Sequence, residues 1–360
     1  MTAASLPKVS ILLPSLNQRQ FLEARIDSLL KQTFADWETV VLESGSTDGS
    51  WEFFQSVAKT DSRFQLHQIP REGLYAALNR GFARVTGEFV HIATADDSMS
   101  PDFLKQMIDA LVRRPEAGIA ACDLQFINRD GNKLSRADLQ GHLSRGAARN
   151  LLSLDHVRTA FPDEHPQHLN YRPAPHDCLL HFDGRSVYFS LNQLLIRSDL
   201  ARSVGPFQTN IGSVADFDWL LRLTSVTGTV HVPKEIAMWR FHGNQLSLQR
   251  DESRAPARLA AAERTLREIC AKYPDRLNAN DRAALLLPLK LESRGTISRV
   301  FGWFESLIRL FRMFTALPFS TLRALWRVRF RFGTRRHTLL PMVFAAKGLA
   351  AKTVEQELRS

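Results

Sequence analysis

Three observations predict an α/β fold with a mostly parallel sheet. Five β-rich runs punctuate the first part of the chain: KVSILL (8–13), ETVVL (38–42), FQLHQI (64–69), EFVHIA (88–93) and GIAACDLQF (118–126). Stretches with helical spacing separate them, which implies right-handed βαβ units. Polar turns follow the first, second and fourth runs, at the carboxyl ends where such sheets bind ligands.

The first run ends in PSLN (14–17), and Asn17 is placed to cap a helix whose apolar face is Phe21, Leu22, Ile26, Leu29 and Leu30. The second stops on Glu43 and enters SGSTDGS, a richer set of glycines, hydroxyls and carboxylate than a turn requires. That composition suits a pocket rim, although Ser46, Thr47 and Asp48 also suit the cap of the next helix. In REGLYAALNRG (71–81), Gly73, Leu74, Ala77 and Leu78 fit a packed helix face. Arg71 and Asn79 are its candidates for ligand contact, with Tyr75 beside them, and Arg80 reads as a solvated residue. The fourth run leads into TADD (94–97), where Asp96 and Asp97 offer carboxylates and Asp97 is also placed to cap a helix after Pro101. Phe103, Met107 and Leu111 make the apolar face of that helix.

A chain of 360 residues buries a large core and suggests two domains or one with an appendage. Its three cysteines, Cys122, Cys178 and Cys270, are odd in number and widely spaced, which argues against a disulfide framework or zinc cluster and fits a reducing compartment. The start, MTAASLPKVSILLPS, lacks the charged segment and long apolar run of a secretory leader. No window of 18 residues is free of charge, so no spanning helix is expected. Between Arg294 and Arg336 lie ten arginines and one acid, Glu305, giving a net +9 of the chain's formal +10. The body of the protein is therefore close to neutral, and its basic character does not argue for nucleic acid.

Residues 161–200 are rich in Pro and His before turning into a strand. His165, His168, His176 and His181 have spacings that match no common metal site, so this stretch reads as a flexible loop.

Four blocks in order carry a resemblance. VSILLPSLNQRQFLEARIDSLLKQTF with WETVVLESGSTDGS, then REGLYAALNRGFARVTGEFVHIATADD, ADFDWLLRL (215–223) and WRFHGNQLS (239–247) together resemble the family 2 glycosyltransferases over roughly residues 7–250. The resemblance implies the GT-A (Rossmann-like) fold, a nucleotide-activated sugar donor, UDP-linked above all, and transfer with inversion. It implies that Glu43 holds the nucleoside, with Pro14, Asn17, Ser46 and Asp48 around it, and that Arg71, Asn79 and Asp96 serve the donor sugar and phosphates. Asp96, Asp97 and His242 are its metal ligands, for Mg²⁺ or Mn²⁺ bridging two phosphates. Thr94 stands where the family's D-x-D pattern has its first acid, which implies a looser site. Inversion needs one carboxylate to take the proton of the attacking hydroxyl. Asp216 is that base, with Ala215 replacing the acid that usually precedes it and Asp218 as the fallback. Trp219, Leu220 and Leu223 read as core.

The implied organisation is a catalytic domain over 1–250 and a helical extension over 251–360. In the extension, RAPARLAAAERTLREICAKY is rich in helix formers. Farther on, Val300, Phe304, Leu307, Phe311 and Phe314 face one way, and Trp326, Val328, Phe330 and Phe332 interleave with arginines. A basic amphipathic segment of this kind fits an anionic membrane surface, through residues 294–336, or a contact between proteins. The expected role is assembly of a cell-surface polysaccharide on a glycan or lipid-linked acceptor, at the cytoplasmic face of the plasma membrane, with no nucleic-acid partner. The missing acids at Thr94 and Ala215 leave an inactive sugar-nucleotide- or membrane-binding scaffold as the alternative. Nucleic-acid binding through the arginine-rich segment is a third reading.

Overall fold

The computed structural model describes residues 8–135, 138, 168–182, 188–242 and 254–272, helical positions between 282 and 290, and a strand at 354–356. The membrane-surface segment 294–336 and His165 lie outside the described residues.

The first half alternates as the sequence predicts. Strand β1 (Val9–Ser15) leads to α1 (Arg19–Leu30), β2 (Trp37–Glu43) to α2 (Ser50–Thr60), and β3 (Phe64–Gln68) to α3 (Leu74–Phe82). Then come β4 (Phe89–Ile92), the short β5 (Ser98–Met99), α4 (Phe103–Arg113) and β6 (Ala117–Ile127). Every residue of β1, β2 and β4 is buried, as expected of strands covered on both faces. Strands β3, β2, β1 and β4 form a parallel set in that order.

Beyond β4 the sheet becomes mixed. Strand β7 (Leu169–Arg172), a short helix α5 (His176–His181), β8 (Leu194–Arg197) and α6 (Ser198–Ser203) precede α7 (Ala215–Val226) and the long β9 (Gly228–Arg240). Strand β8 inserts antiparallel between β4 and β6, whereas β6 and β9 run parallel. Strand β7 pairs antiparallel with β9, and β10 (Val354–Gln356) closes the edge beyond it. The consequence for function is geometric. The β8 insertion carries Ser190 and Asn192 to the end of β4, and β9 returns Trp239 to His242 to the same place.

One core cluster fills the side of the sheet covered by α1 and α4, around Leu22, Ile26, Trp37, Phe89, Phe103 and Met107. The other packs Leu78, Tyr188, Phe207 and Trp219 against the opposite face, with Ala77 from α3 and Leu220 and Leu223 from α7. Trp219, Leu220 and Leu223 are core, as expected. Helix α8 (Arg254–Lys272) packs on α7 with Ala261, Ala262, Leu266 and Ile269 buried. The extension therefore begins as part of the folded body.

Candidate active site

The turns after β1 and β2 are tied to each other. Asn17 adopts φ 52°, a left-handed conformation that Asn tolerates better than most residues. Its backbone N–H donates to Ser46 Oγ (2.9 Å), and its Oδ1 accepts from the Thr47 N–H (2.9 Å). Asp48 accepts from the Arg19 N–H with one oxygen (2.9 Å) and from the Ser50 N–H with the other (3.1 Å). One carboxylate thus serves the first residues of both α1 and α2, orphan donors that each helix start must satisfy. Burial pushes the Asp48 pKa up, but its bonds from Ser50 and Arg19 outweigh that and hold it below the ordinary range. Gly45 (φ 75°) and Gly49 (φ 86°) supply the backbone conformations that this paired turn needs.

This arrangement corrects part of the sequence reading. Asn17 is not the cap of α1, because its side chain bonds to the neighbouring turn; Ser46 and Asp48 bond within the same paired turn. Glu43 is fully buried, and its oxygens accept from the Gly45 N–H (3.1 Å) and the Ser46 N–H (2.6 Å). It shapes the rim and leaves the next residue, Ser44, to face the open space. Asn79 is also committed elsewhere: its amide exchanges hydrogen bonds with the backbone N–H and C=O of Phe207 (2.8 and 2.9 Å). Arg71 is exposed at the turn into α3. Arg80 pairs with Glu72 on the surface (2.7 Å), as its solvated reading requires.

The open space is a cleft of about 470 Å³ at the carboxyl ends of β1 and β4. It brings together Pro14, Asp96, Asp97, Asp216 and His242, five of the residues singled out from the sequence. Ser15 Oγ and Gln18 Oε1, from cleft-lining residues, are buried with no hydrogen-bond partner among the described residues.

Asp97 and Asp96 are held differently. Asp97 is almost fully buried and accepts from Thr94 Oγ1, from the Arg240 N–H (2.9 Å) and, at 3.4 Å, from Ser190 Oγ. Burial, with the adjacent Asp96 charge second, lifts its pKa to about 7. It does not cap α4, which begins after Asp102. Asp96 instead turns its carboxylate towards His242, whose Nε2 lies 3.0 Å from Oδ2. The Arg240 side chain passes behind the turn, donating through Nε to the Asp96 carbonyl (2.8 Å) and through Nη1 to the Arg129 carbonyl (2.8 Å). Beneath it, the fully buried Arg25 donates to the Thr94 carbonyl (2.9 Å) and to Asn192 Oδ1 (2.6 Å). Burial lowers its pKa to about 10, while Asp97 and Asp96 act in the opposite sense. Two arginines thus lock the 94–97 turn from below and from the side.

Among the described residues, no three His, Cys, Asp or Glu side chains gather closely enough to enclose a metal by themselves. The chemistry of Asp96 and His242 does fit a divalent cation shared with a ligand's phosphates, since Mg²⁺ takes only one or two protein carboxylates in such sites.

Asp216, in the first turn of α7, lines the same cleft. It is half-buried, and its Oδ1 accepts the Phe217 N–H (2.6 Å). Burial lifts its pKa above the ordinary carboxylate range, while Arg254 and Arg258 pull it back. Asp218 does not compete for the same role. It is fully buried and held between Arg222 (3.0 Å) and Arg264, so its oxygens are consumed in docking α8. Ser44, Tyr75, Ser190 and Arg254 line the cleft without having been singled out as site residues. Tyr75 had a signal, standing in the same block as Arg71 and Asn79. Ser190 and Arg254 had none, because each is placed by tertiary packing alone.

The mixed α/β sheet, with acidic groups gathered at the carboxyl ends of its strands, has the GT-A type of fold of the solved structures that superpose on it. Residues 10–165 match the model of Glycosyl transferase family 2. A glycosyltransferase of PGL/p-HBAD biosynthesis from Mycobacterium bovis is 36% identical over 94 residues, 26% of this chain and 37% of that protein. The O-antigen biosynthesis protein RfbC of Myxococcus xanthus is 25% identical over 294 residues, 81% of this chain but 20% of its own length. The chain spans about half or less of the length of the curated relatives it matches first. S. aureus TarS 1–349, solved with UDP-GlcNAc, superposes with a TM-score of 0.57 at 14% identity, over 95% of this chain and 90% of that one. The mannosyltransferase PcManGT of Pyrobaculum calidifontis, in complex with GDP-Man and Mn²⁺, gives 0.50 at 17% identity, over 96% and 87%. These structural likenesses support the fold.

Proposed function

We propose that the protein is an inverting glycosyltransferase that moves a sugar from a nucleotide diphosphate donor, UDP-linked above all, to a hydroxyl of a glycan or lipid-linked acceptor in cell-surface polysaccharide assembly. The observation that carries this reading is that Asp216 lines one cleft together with Asp96 and His242. Inversion requires a base on one face of the anomeric carbon and a stabilised leaving diphosphate on the other. UDP-GlcNAc in TarS and GDP-Man with Mn²⁺ in PcManGT support a sugar nucleotide as the donor class and a divalent cation beside it. O-antigen and PGL/p-HBAD biosynthesis among the relatives supports the acceptor class.

In this reading Ser15, Gln18 and Ser44 receive the nucleoside at the ends of β1 and β2. Asp96 and His242 hold the cation, which when bound neutralises charge developing on the leaving diphosphate. Thr94, Ser190 and the Arg240 backbone fix Asp97, and with it the turn that aims Asp96. Asp216 takes the acceptor proton in the same cleft. Attachment to an anionic membrane through residues 294–336 is part of the same proposal. No helix among the described residues is long and apolar enough to cross a membrane.

The test is UDP release by the purified chain from a panel of UDP-sugars with Mn²⁺ and a membrane extract as acceptor source. Asp216→Asn is expected to lower kcat by about 10²–10⁴-fold with donor binding retained, because a base acts only in the transition state. Full activity in the variant, or a panel in which no nucleotide sugar raises the melting temperature, overturns the reading.

A further inference from the structure

Helix α8 lies outside the stretch matched by the family model, yet its first residue enters the cleft. Arg254 is half-buried, lines the same space as Asp216, and makes no hydrogen bond to a described residue. A guanidinium carries donors that prefer a carboxylate or phosphate, so this position has an electrostatic purpose rather than a packing one. The helix behind it is fixed at three places. Ala261, Ala262, Leu266 and Ile269 are buried; Arg264 pairs with the buried Asp218 of α7; and Arg258 lies over the Phe217 ring at 4.6 Å. Two of these anchors grip the residues immediately beyond Asp216. The docking of α8 thus sets where Arg254 sits relative to that carboxylate.

We propose that Arg254 is a positioning residue for the base: α8 is docked on α7 to bring this guanidinium to Asp216, where it keeps the carboxylate ionised and oriented for the acceptor hydroxyl. The inference rests on the reading of Asp216 as the base. A base half-removed from water binds its proton more tightly and is idle while protonated. The groups facing Asp216 decide the balance. Tyr75, from α3, brings a neutral hydroxyl whose pKa is raised by burial and by the Asp216 charge. From α8 come Arg254 and Arg258, both favouring the charged carboxylate, and from its own helix the Phe217 N–H. Asp96, Asp97 and His242 share the cleft. Of the two arginines, Arg258 is engaged with an aromatic ring, whereas Arg254 is the one in the cleft wall. The amino end of a long helix adds a partial positive charge of the same sign.

The deciding measurement is an NMR titration of the Asp216 side-chain carboxyl in the full chain labelled with ¹³C-aspartate, its signal assigned by loss in Asp216→Asn. Removing a nearby cation raises the midpoint, so the fraction ionised at a given pH falls. Arg254→Met is expected to move the midpoint up by about one pH unit, and Arg254→Lys to restore most of it. The acidic limb of the kcat profile should move with the midpoint while the donor KM stays fixed. An unmoved midpoint in folded Arg254→Met overturns the inference. So does a lysine variant that titrates like the methionine one. Should Arg254→Met not fold, Arg254→Gln, neutral and of similar reach, takes the same titration. Full transfer by Asp216→Asn would remove the base reading itself. Loss of transfer there with an unmoved midpoint in Arg254→Met removes only the role of Arg254.

Discussion

Nε2 of His242 lies 3.0 Å from Oδ2 of Asp96, although 146 positions separate them in the chain. A turn after β4 and the residue two beyond the end of β9 therefore meet as one pair, the two side chains proposed to hold the cation. Transfer is expected to require Mg²⁺ or Mn²⁺ at a concentration above that of a site with a full set of acids, since Thr94 contributes only a neutral oxygen. His242→Ala should raise the Mn²⁺ concentration that gives half-maximal UDP release. Undiminished transfer after exhaustive chelation would count against both ligands.

Asp218 is expected to matter for folding and not for chemistry. Its carboxylate neutralises Arg222 and Arg264 at the α7–α8 contact, so Asp218→Asn leaves two guanidiniums short of a charge partner. A loss on the order of 3 kcal/mol in urea unfolding is expected, because removing one member strands the others. Below its transition the variant should still bind donor. A stable variant with abolished turnover would instead make Asp218 the base.

The pKa of Asp97 sets a pH dependence. Its folded value, about 7, lies above the ordinary carboxylate value, because burial and then Asp96 penalise ionisation. A raised carboxylate binds its proton more tightly when folded. Its contribution to stability is therefore complete at acid pH below the unfolded value and is lost as pH rises through about 7. In metal-free buffer, unfolding curves between pH 5 and 9 should show that decline, and Asp97→Asn should flatten it. An equal decline in the variant would refute the assignment.

Truncation after Ser293 should release a folded catalytic unit from membranes, since the ten arginines of 294–336 leave with the tail. Each arginine near an anionic surface contributes about 1 kcal/mol, and the part due to Phe304, Phe311 and Trp326 should survive high salt. Vesicle sedimentation with phosphatidylserine, at low and high salt, measures both parts. Full-length protein that ignores such vesicles would make the tail a packing element.

The sequence was most legible where local pattern and burial agree. Strands β1 to β4 and β6 begin and end within about two residues of their apolar runs; all but the largely open β3 are buried on both faces, and polar turns bound them. The antiparallel course of β8 was not legible: four residues, LLIR, carry no direction, and pairing between β4 and β6 decides it. Asp96, Asp97, Asp216 and His242, chosen for their types and order, do line one cleft. Glu43 and Asn79 do not, and for one common reason. A polar side chain at the right strand or helix position can turn to a backbone group as readily as to a ligand, and only the fold around it shows which. Arg254 was beyond reach, since nothing near it in the chain relates it to Asp216.

Asp48 gives the cleft a mechanical property. Because the same carboxylate receives the starts of α1 and α2, the ends of β1 and β2 cannot open independently. Thermal motion on this side of the cleft is carried by a single latched plate, and motion of Ser15 implies motion of Ser44. The Ser44 N–H also donates to the Ser15 carbonyl (3.0 Å), so a molecule bound here meets one continuous edge rather than two.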